Sequence, residues 1–337
     1  MQCHAKTIRL DLIHPFRISR EVSTYKENVL LSITDGEKTG LGEAAPSAYY
    51  GENATAVHDA LARVPSLLGK NPFDLEDTGR RLQTHLPECA SARAAVDIAL
   101  HDLAAQRLGI PLYQFLGLNP DRTPTTSFTI AIDKPDKIRQ KVHEAAEYPA
   151  LKVKLGSEHD LEIMRTIREE SDAKIRVDAN AGWSVEQAIY MVQALAEFDV
   201  EFVEQPLPPD DLDGLRQVRA AASMPIMVDE SVLMAADVPR LADCVDGVNL
   251  KLMKCGGLRE ALRLIHTARA HGLMVMIGCM IETSVAITAA AHLTPLVDYA
   301  DLDGHLLIAN DPYIGVTVQN GRLILPEAPG LGIKNIV

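Results

Sequence analysis

The sequence predicts a closed parallel β/α barrel preceded by a smaller α+β domain. From about residue 124 onward, short apolar strands alternate with amphipathic helices at intervals of about 25 residues, the length of one βα unit. Eight such units in series favour a closed barrel over an open sheet. No glycine-rich phosphate-binding motif follows any strand, which argues against a dinucleotide-binding fold.

The first part of the chain follows a different pattern. Residues 6–12 and 29–34 alternate as strands do, and 41–44 forms the returning strand after a turn at Asp35-Gly36. Helical periodicity covers 53–69, 73–87 and 91–108, with Gly109 placed as a C-terminal cap and Pro111 preventing continuation. Strands followed by helices are typical of an α+β domain.

The barrel strands are predicted at 127–132, 151–154, 174–178, 201–204, 225–229, 247–251, 273–278 and 298–301. After them, Asn320-Gly321 separates residues 316–319 from 322–325 and predicts a hairpin. We therefore expect a capping domain at 1–123, a barrel at 124–312, and a C-terminal segment at 313–337 that packs back on the capping domain.

Composition excludes several classes of protein. The 337 residues carry a net charge of −13, which argues against a nucleic-acid partner because phosphate contacts need clustered lysine and arginine. No apolar run reaches the ~20 residues that cross a bilayer, and the N-terminus lacks the features of a signal peptide. The five cysteines form no C-x-x-C pair, so we expect reduced thiols in a cytoplasmic protein.

Three carboxylates stand at the ends of three consecutive barrel strands: Asp178, Glu204 and Asp229. The carboxyl ends of the strands form the active-site face of such a barrel, so these side chains should converge. Converging carboxylates repel one another unless a cation neutralises them, and an all-oxygen set suits Mg²⁺. Salt bridges to barrel lysines are the alternative reading.

Lysines flank these acids. Lys152 and Lys154 are two residues apart on one strand, so both should point into the barrel, and Lys251 stands four strands further round. Lys254 is expected in the loop that follows. Nearby cations should lower the pKa of Lys154, which would allow it to act as a base near neutral pH.

Together these groups suit one reaction. A metal on a substrate carboxylate stabilises the enediolate that forms when the adjacent carbon loses its proton. A lysine on one face removes the proton and the opposed lysine returns one to the other face, so we predict inversion by 1,1-proton transfer.

At these positions the sequence resembles the muconate-lactonising branch of the enolase superfamily along essentially the whole chain. The matching segments follow strands two to seven: Leu151-Lys152-Val153-Lys154, Val177-Asp178-Ala179-Asn180, Val203-Glu204-Gln205-Pro206, Val228-Asp229-Glu230-Ser231, Asn249-Leu250-Lys251-Leu252-Met253-Lys254 and Gly278-Cys279-Met280-Ile281-Glu282-Thr283. The resemblance implies a (β/α)7β TIM-like barrel, Mg²⁺ on the three carboxylates, acid/base roles for Lys154 and Lys251, and Lys152 beside the substrate carboxylate.

Within that branch, Asp301-Leu302-Asp303 is similar to the D-x-D of dipeptide epimerases, which implies that Asp301 and Asp303 hold the α-ammonium of a dipeptide. Two acids on one strand face form a cation site, which agrees with that role. Loop candidates for substrate selection are Glu21, Tyr50 and Ile281. Glu21 would favour a cationic second residue and Tyr50 an apolar one. Because Glu21 stands where L-Ala-Glu epimerases carry an arginine, the resemblance puts a preference for glutamate in doubt. It also weakens a cationic preference, since members with that preference carry an acid where Ile281 stands. Apolar, cationic and glutamate second residues all stay open.

The predicted function is therefore epimerisation of an L,L-dipeptide at its C-terminal residue by a Mg²⁺-dependent isomerase of peptide metabolism. Alternatives within the superfamily are o-succinylbenzoate synthase, muconate cycloisomerase and N-acylamino acid racemase. Outside it, a Schiff-base barrel or a non-catalytic barrel that binds dipeptides or carboxylates stays open. A small dipeptide is the expected partner, without nucleic acid or membrane, and we expect a homo-oligomer.

Overall fold

The computed structural model describes residues 1–336. The N-terminal region is an antiparallel sheet in the order β1-β2-β3, covered by helices on one face. Its elements are β1 (Gln2–Arg17), β2 (Val22–Asp35), β3 (Lys38–Ala44), α1 (Ala54–Arg63), α2 (Leu75–His85), α3 (Ala90–Leu108) and α4 (Leu112–Phe115). Helix α1 ends before the predicted residue 69 because Pro65 begins a separate 3₁₀ turn, where its missing N–H is tolerated.

Strand β3 lies directly on helix α3. A Cβ atom at Gly42 would come within 1.9 Å of the Ala95 carbonyl oxygen, so only glycine permits this approach. Helix α3 ends as predicted, with Gly109 in the left-handed conformation at φ 72°.

Eight parallel strands follow in sequence order. They are β4 (Phe128–Ile130), β5 (Ala150–Lys154), β6 (Lys174–Asp178), β7 (Val200–Glu204), β8 (Ile226–Val228), β9 (Gly247–Lys251), β10 (Met274–Gly278) and β11 (Tyr299–Asp301). The helices between them are α5 (Pro135–Glu144), α6 (Asp160–Glu170), α7 (Val185–Leu195), α8 (Leu212–Ala221), α9 (Val238–Leu241), α10 (Leu252–Cys255), α11 (Leu258–Ala270) and α12 (Ser284–Ala291).

The sheet closes between its first and last strands. Thr126 forms a parallel bridge with Ala300, and the Ser127 amide donates to the Ala300 carbonyl at 3.1 Å. Below the mouth the barrel is filled by Phe202, Met227 and Met276. The predicted (β/α)7β barrel with an N-terminal α+β capping region is therefore confirmed.

The C-terminal segment packs against the N-terminal region. It contains β12 (Tyr313–Ile314), β13 (Thr317–Gln319), β14 (Arg322–Ile324) and β15 (Lys334–Asn335). The Leu331 amide donates to Asp102 of α3 at 2.8 Å, and the Leu112 amide donates to the Gly330 carbonyl at 2.8 Å. The domain boundaries at residues 123 and 312 stay predictions.

A buried carboxylate joins the capping sheet to the barrel. Glu43 of β3 accepts hydrogen bonds from the Thr283 amide and hydroxyl and from the Ala286 amide, at the start of α12. Asn28 of β2 donates to Glu43 at 2.8 Å and to the Ile281 carbonyl at 2.9 Å. Burial raises the pKa of Glu43. Residues 1–336 include no helix with the length and hydropathy needed to cross a membrane.

Candidate active site

The mouth of the barrel and the capping loops enclose a cavity of about 320 Å³, the size range of small-molecule sites. The barrel contributes Lys152, Lys154 and Lys251 to its wall, together with Asp301 and Asp303. The capping region contributes residues 16–28 and 45–53 in part. The predicted catalytic and ammonium-binding side chains therefore face one space.

The two candidate acid/base lysines lie on β5 and β9, four strands apart in an eight-stranded barrel. Lys154 Nζ lies 2.6 Å from Asp178 Oδ2, and Lys251 Nζ lies 2.8 Å from Asp229 Oδ2. Burial lowers the pKa of Lys251, but the Asp229 carboxylate outweighs it and raises that pKa above its usual value. Each lysine therefore lies within hydrogen-bond distance of one carboxylate.

Lys152 is buried at the centre of the acidic groups. Its Nζ lies 2.7 Å from Glu204 Oε2, 3.1 Å from Asp178 Oδ2 and 2.8 Å from Asp301 Oδ2. Although burial lowers its pKa, these carboxylates, Asp301 foremost, raise it well above the ordinary value. Lys152 is therefore a fixed positive charge.

The three candidate metal ligands stand side by side. Asp178 pairs in register with Glu204 on the next strand, and Asp229 follows the end of β8. Within residues 1–336, no three His, Cys, Asp or Glu side chains are arranged as they stand to hold a metal ion. Lysine side chains lie against these carboxylates instead, as in the salt-bridged alternative that the sequence left open.

The carboxylates nonetheless fit a cation. Burial, followed by the charge of Asp178, raises the pKa of Glu204 to about 7, so the lysines only partly compensate this group. The 2.7 Å contact of Glu204 Oε2 with Lys152 lacks hydrogen-bond geometry, which leaves that buried oxygen without a hydrogen bond. Asn249 donates to the other oxygen at 2.7 Å. A buried all-oxygen set with one unsatisfied acceptor suits Mg²⁺.

The two acids after strand eight are both buried. Asp301 accepts from Ser127 at 2.7 Å and pairs with Lys152, while Asp303 accepts from the Thr129 amide at 2.6 Å. Burial and the nearby Asp301 raise the pKa of Asp303 to about 7. A cationic ligand beside this pair would lower the pKa of Asp303 again, because a nearby positive charge favours the charged carboxylate.

Comparisons with known proteins identify the family of this chain. Residues 5–117 match the N-terminal domain of mandelate racemase / muconate lactonizing enzyme, and residues 137–335 match the enolase C-terminal domain-like family. The chain belongs to the enolase superfamily. The resemblance drawn from the strand-end motifs is therefore confirmed.

Several relatives of this superfamily member are named as dipeptide epimerases. The chain is 44% identical to the L-Ala-D/L-Glu epimerase of Bacteroides thetaiotaomicron, over 97% of this chain and 86% of the relative. It is 42% identical to a hydrophobic dipeptide epimerase of a Flavobacteria bacterium, over 94% and 93% of the two chains. The crystal structure of a dipeptide epimerase from Enterococcus faecalis V583, complexed with Mg and L-Leu-L-Tyr, superposes with a TM-score of 0.94 at 35% identity, covering 99% of each chain.

The capping loops of this enolase-superfamily chain carry charges that are already paired. Glu21 lines the cavity but accepts from Lys26 at 2.8 Å. Of the two adjacent tyrosines, Tyr49 lines the cavity and Tyr50 does not. Ile281 also lines the cavity, and Asn28 donates to its carbonyl group at 2.9 Å. Tyr50 is nonetheless close to the mouth, since burial and then the charge of Asp229 raise the pKa of its hydroxyl group.

Arg20 lines the cavity, although no role for it is predicted from the sequence. Its guanidinium lies 2.8 Å from buried Glu230, donates to the Asn180 carbonyl at 3.1 Å and stacks 4.3 Å above the Tyr49 ring. This pairing ties the first capping loop to the barrel. Glu230 follows directly after Asp229, a position that indicates a side chain near the mouth but not its partner.

Lys254 departs from its predicted place in a loop. It lies in the short helix α10, where it is buried and donates to the Asp229 carboxylate and to the Val232 carbonyl. Its spacing of three residues from Lys251 could have indicated a helical turn returning to the same acid.

Proposed function

We propose that this chain is a dipeptide epimerase that inverts the Cα of the C-terminal residue of an L,L-dipeptide. The observation that carries the proposal is the pair of buried lysines, Lys154 and Lys251, on opposite strands of one cavity. Two opposed amines are the arrangement that proton removal from one face and return to the other requires. Relatives at 35–44% identity are named L-Ala-D/L-Glu epimerase and hydrophobic dipeptide epimerase, which supports the same reaction class.

Asp178, Glu204 and Asp229 are the residues that would hold Mg²⁺. The ion would neutralise negative charge that develops on the substrate carboxylate when the neighbouring carbon loses its proton. Lys152 would lie beside the same carboxylate as a permanent ammonium ion. Asp301 and Asp303 would hold the α-ammonium group, which fixes the substrate at both ends and places its reactive carbon between the two lysines.

The lysines would then divide the chemistry by face. For one configuration of the substrate, Lys154 accepts the proton and Lys251 donates one, and for the other the roles exchange. Each lysine must be neutral when it accepts and charged when it donates. A base on each side makes inversion the natural outcome, since the planar carbon can be reprotonated from either face.

We propose an apolar second residue. Two charged loop groups that could select a charged side chain are already paired, Glu21 with Lys26 and Arg20 with Glu230. The remaining wall near Ile281 includes Met280 and Ile18. A charged substrate side chain that approached Glu21 or Arg20 would have to break one of these pairs, whereas an apolar one contacts the wall directly.

The lysine assignment is tested with Lys154→Gln and Lys251→Gln, and exposed Lys137→Gln serves as a matched control. Dipeptides are incubated with Mg²⁺ in D₂O and followed by mass and by chiral chromatography. Each site variant should lose epimerisation at least ~100-fold, the typical contribution of a positioned base. Each should still exchange the Cα proton of one diastereomer, a different one for each variant, and loss of exchange on both would contradict the division by face.

Substrate choice is tested on L-Ala-L-Leu, L-Ala-L-Glu and L-Ala-L-Lys, where kcat/KM should be highest for the first. Asp303→Asn separates the alternatives. The variant should lower the turnover of dipeptides, because their ammonium group loses a partner. A racemase of N-acylated amino acids, an o-succinylbenzoate synthase or a muconate cycloisomerase acts on substrates without that group, so its activity should not change. Ligand-induced stabilisation without turnover would instead indicate a binding protein.

We also propose that the enzyme acts in the cytoplasm as a homo-oligomer. All five cysteines are unpaired, which suits a reducing compartment. Fractionation of cells and light scattering on the purified protein would check the compartment and the subunit number.

A further inference from the structure

A second, smaller cavity lies beside the first, between β1, β4, α5 and the turn after β11. It measures about 110 Å³. Because one water molecule needs roughly 10–15 Å³ of such space, the cavity has room for an aliphatic side chain. We name it the side cavity, and its apolar wall consists of Ile13, Phe16, Phe128, Ala131, Leu306 and Leu307.

The side cavity adjoins the active-site cavity at the end that holds the acidic pair. Phe16, Thr129 and Leu307 line both spaces. The backbone amide of Thr129 donates to Asp303 Oδ2 at 2.6 Å, so one residue links the shared wall to the acidic pair.

The charges around the side cavity are already paired. His14 Nε2 lies 3.0 Å from Glu144 Oε2, and Lys141 Nζ lies 2.9 Å from Asp133 Oδ2. Both pairs leave no free charge for a charged ligand group. Ile13, by contrast, is 55% exposed, so an apolar group that enters the side cavity would cover it.

We propose that the side cavity binds the side chain of the N-terminal residue of the dipeptide and favours an aliphatic one. The inference rests on the proposed function, in which Asp301 and Asp303 hold the α-ammonium group. The side chain of the N-terminal residue is attached to the same carbon as the α-ammonium group, so it begins two bonds from the ammonium nitrogen. With that nitrogen held by Asp303, which accepts from the Thr129 amide, the side chain begins near Thr129. Thr129 also lines the side cavity, which is the adjoining apolar space.

The experiment compares kcat/KM for L-Leu-L-Leu and L-Ala-L-Leu, which differ only at the first residue. Ala131→Leu fills the side cavity from a residue that does not line the active-site cavity. It should lower the Leu-first to Ala-first ratio about tenfold, the order expected when an isobutyl group loses its apolar site. Leu306→Ala enlarges the side cavity. It should raise the ratio of kcat/KM for L-Phe-L-Leu to kcat/KM for L-Ala-L-Leu.

Exposed Leu108→Ala on α3 is the matched control for Leu306→Ala, and neither ratio should change in it. The two variants act in opposite directions, so failure of Ala131→Leu to fold leaves Leu306→Ala to decide. Ratios within twofold of wild type in the variants that fold would overturn the side-cavity assignment. If the wild-type protein turns over no dipeptide at all, the proposed function fails first, independently of any variant.

Discussion

Replacing Glu43 with alanine should weaken the contact between the capping sheet and the barrel, so that the protein unfolds at a lower urea concentration. Glu43 is fully buried and accepts from two backbone amides, those of Thr283 and Ala286, and from Asn28. Each buried donor that loses its partner costs about 1–3 kcal/mol, so the two amides alone give about 2–6 kcal/mol. Burial of the carboxylate, which raises its pKa, offsets part of this, and we expect a net loss of about 3 kcal/mol.

The assay is urea unfolding followed by circular dichroism, with Glu37→Ala as the control. Glu37 is exposed in the turn between β2 and β3, so its removal should change the unfolding free energy by less than about 0.5 kcal/mol. A loss below about 1 kcal/mol for Glu43→Ala, with an unchanged slope against urea, would refute the reasoning that this carboxylate holds the two regions together.

Three further predictions follow from other parts of the structure. Burial and the nearby Glu43 raise the pKa of Glu282 to about 8, so its contribution to stability is complete below about pH 4.5 and is lost as the pH rises through 8. Glu282→Gln should therefore gain unfolding free energy relative to wild type between pH 5 and pH 8, and a pH-independent difference would contradict this. Arg20→Met leaves Glu230 buried without its partner and should cost about 1–2 kcal/mol in urea unfolding, below the ~3–5 kcal/mol of a fully buried pair because Arg20 is 32% exposed. Protein freed of metal with EDTA should melt at a higher temperature when Mg²⁺ is added. At one hundred times the dissociation constant, the unfolding free energy should rise by about 2.7 kcal/mol. An unchanged melting curve would argue against a metal site.

The sequence predicted the barrel well because its strands are buried on both sides and therefore stand out as apolar runs. Strands β5, β6 and β9 fall within one residue of the predicted ranges. The site positions followed from the same runs, since a charged residue at the end of a buried strand is costly to place against the apolar helix layer and is favoured at the mouth. Asp178, Lys154 and Lys251 were placed in this way.

Other features depend on contacts between distant segments and leave no local pattern. Nothing in the sequence around Arg20 indicates Glu230, which is 210 positions away, as its partner. Glu43 has the composition of an ordinary strand residue, and only the docking of α12 makes it a buried acceptor. The side cavity likewise forms between β1 and α5, which are far apart in sequence.

The hydrogen-bond ladder of the barrel sets the spacing of the reactive groups. Lys154 pairs with Asp178, Asp178 with Glu204, and Lys251 and Asp301 both pair with Gly278. Adding one residue inside β5 would turn both of its lysines from the lumen toward the surrounding helices. Insertions and deletions in this lineage should therefore accumulate between the strands and not within them, because the register of the strands sets the positions of the reactive groups.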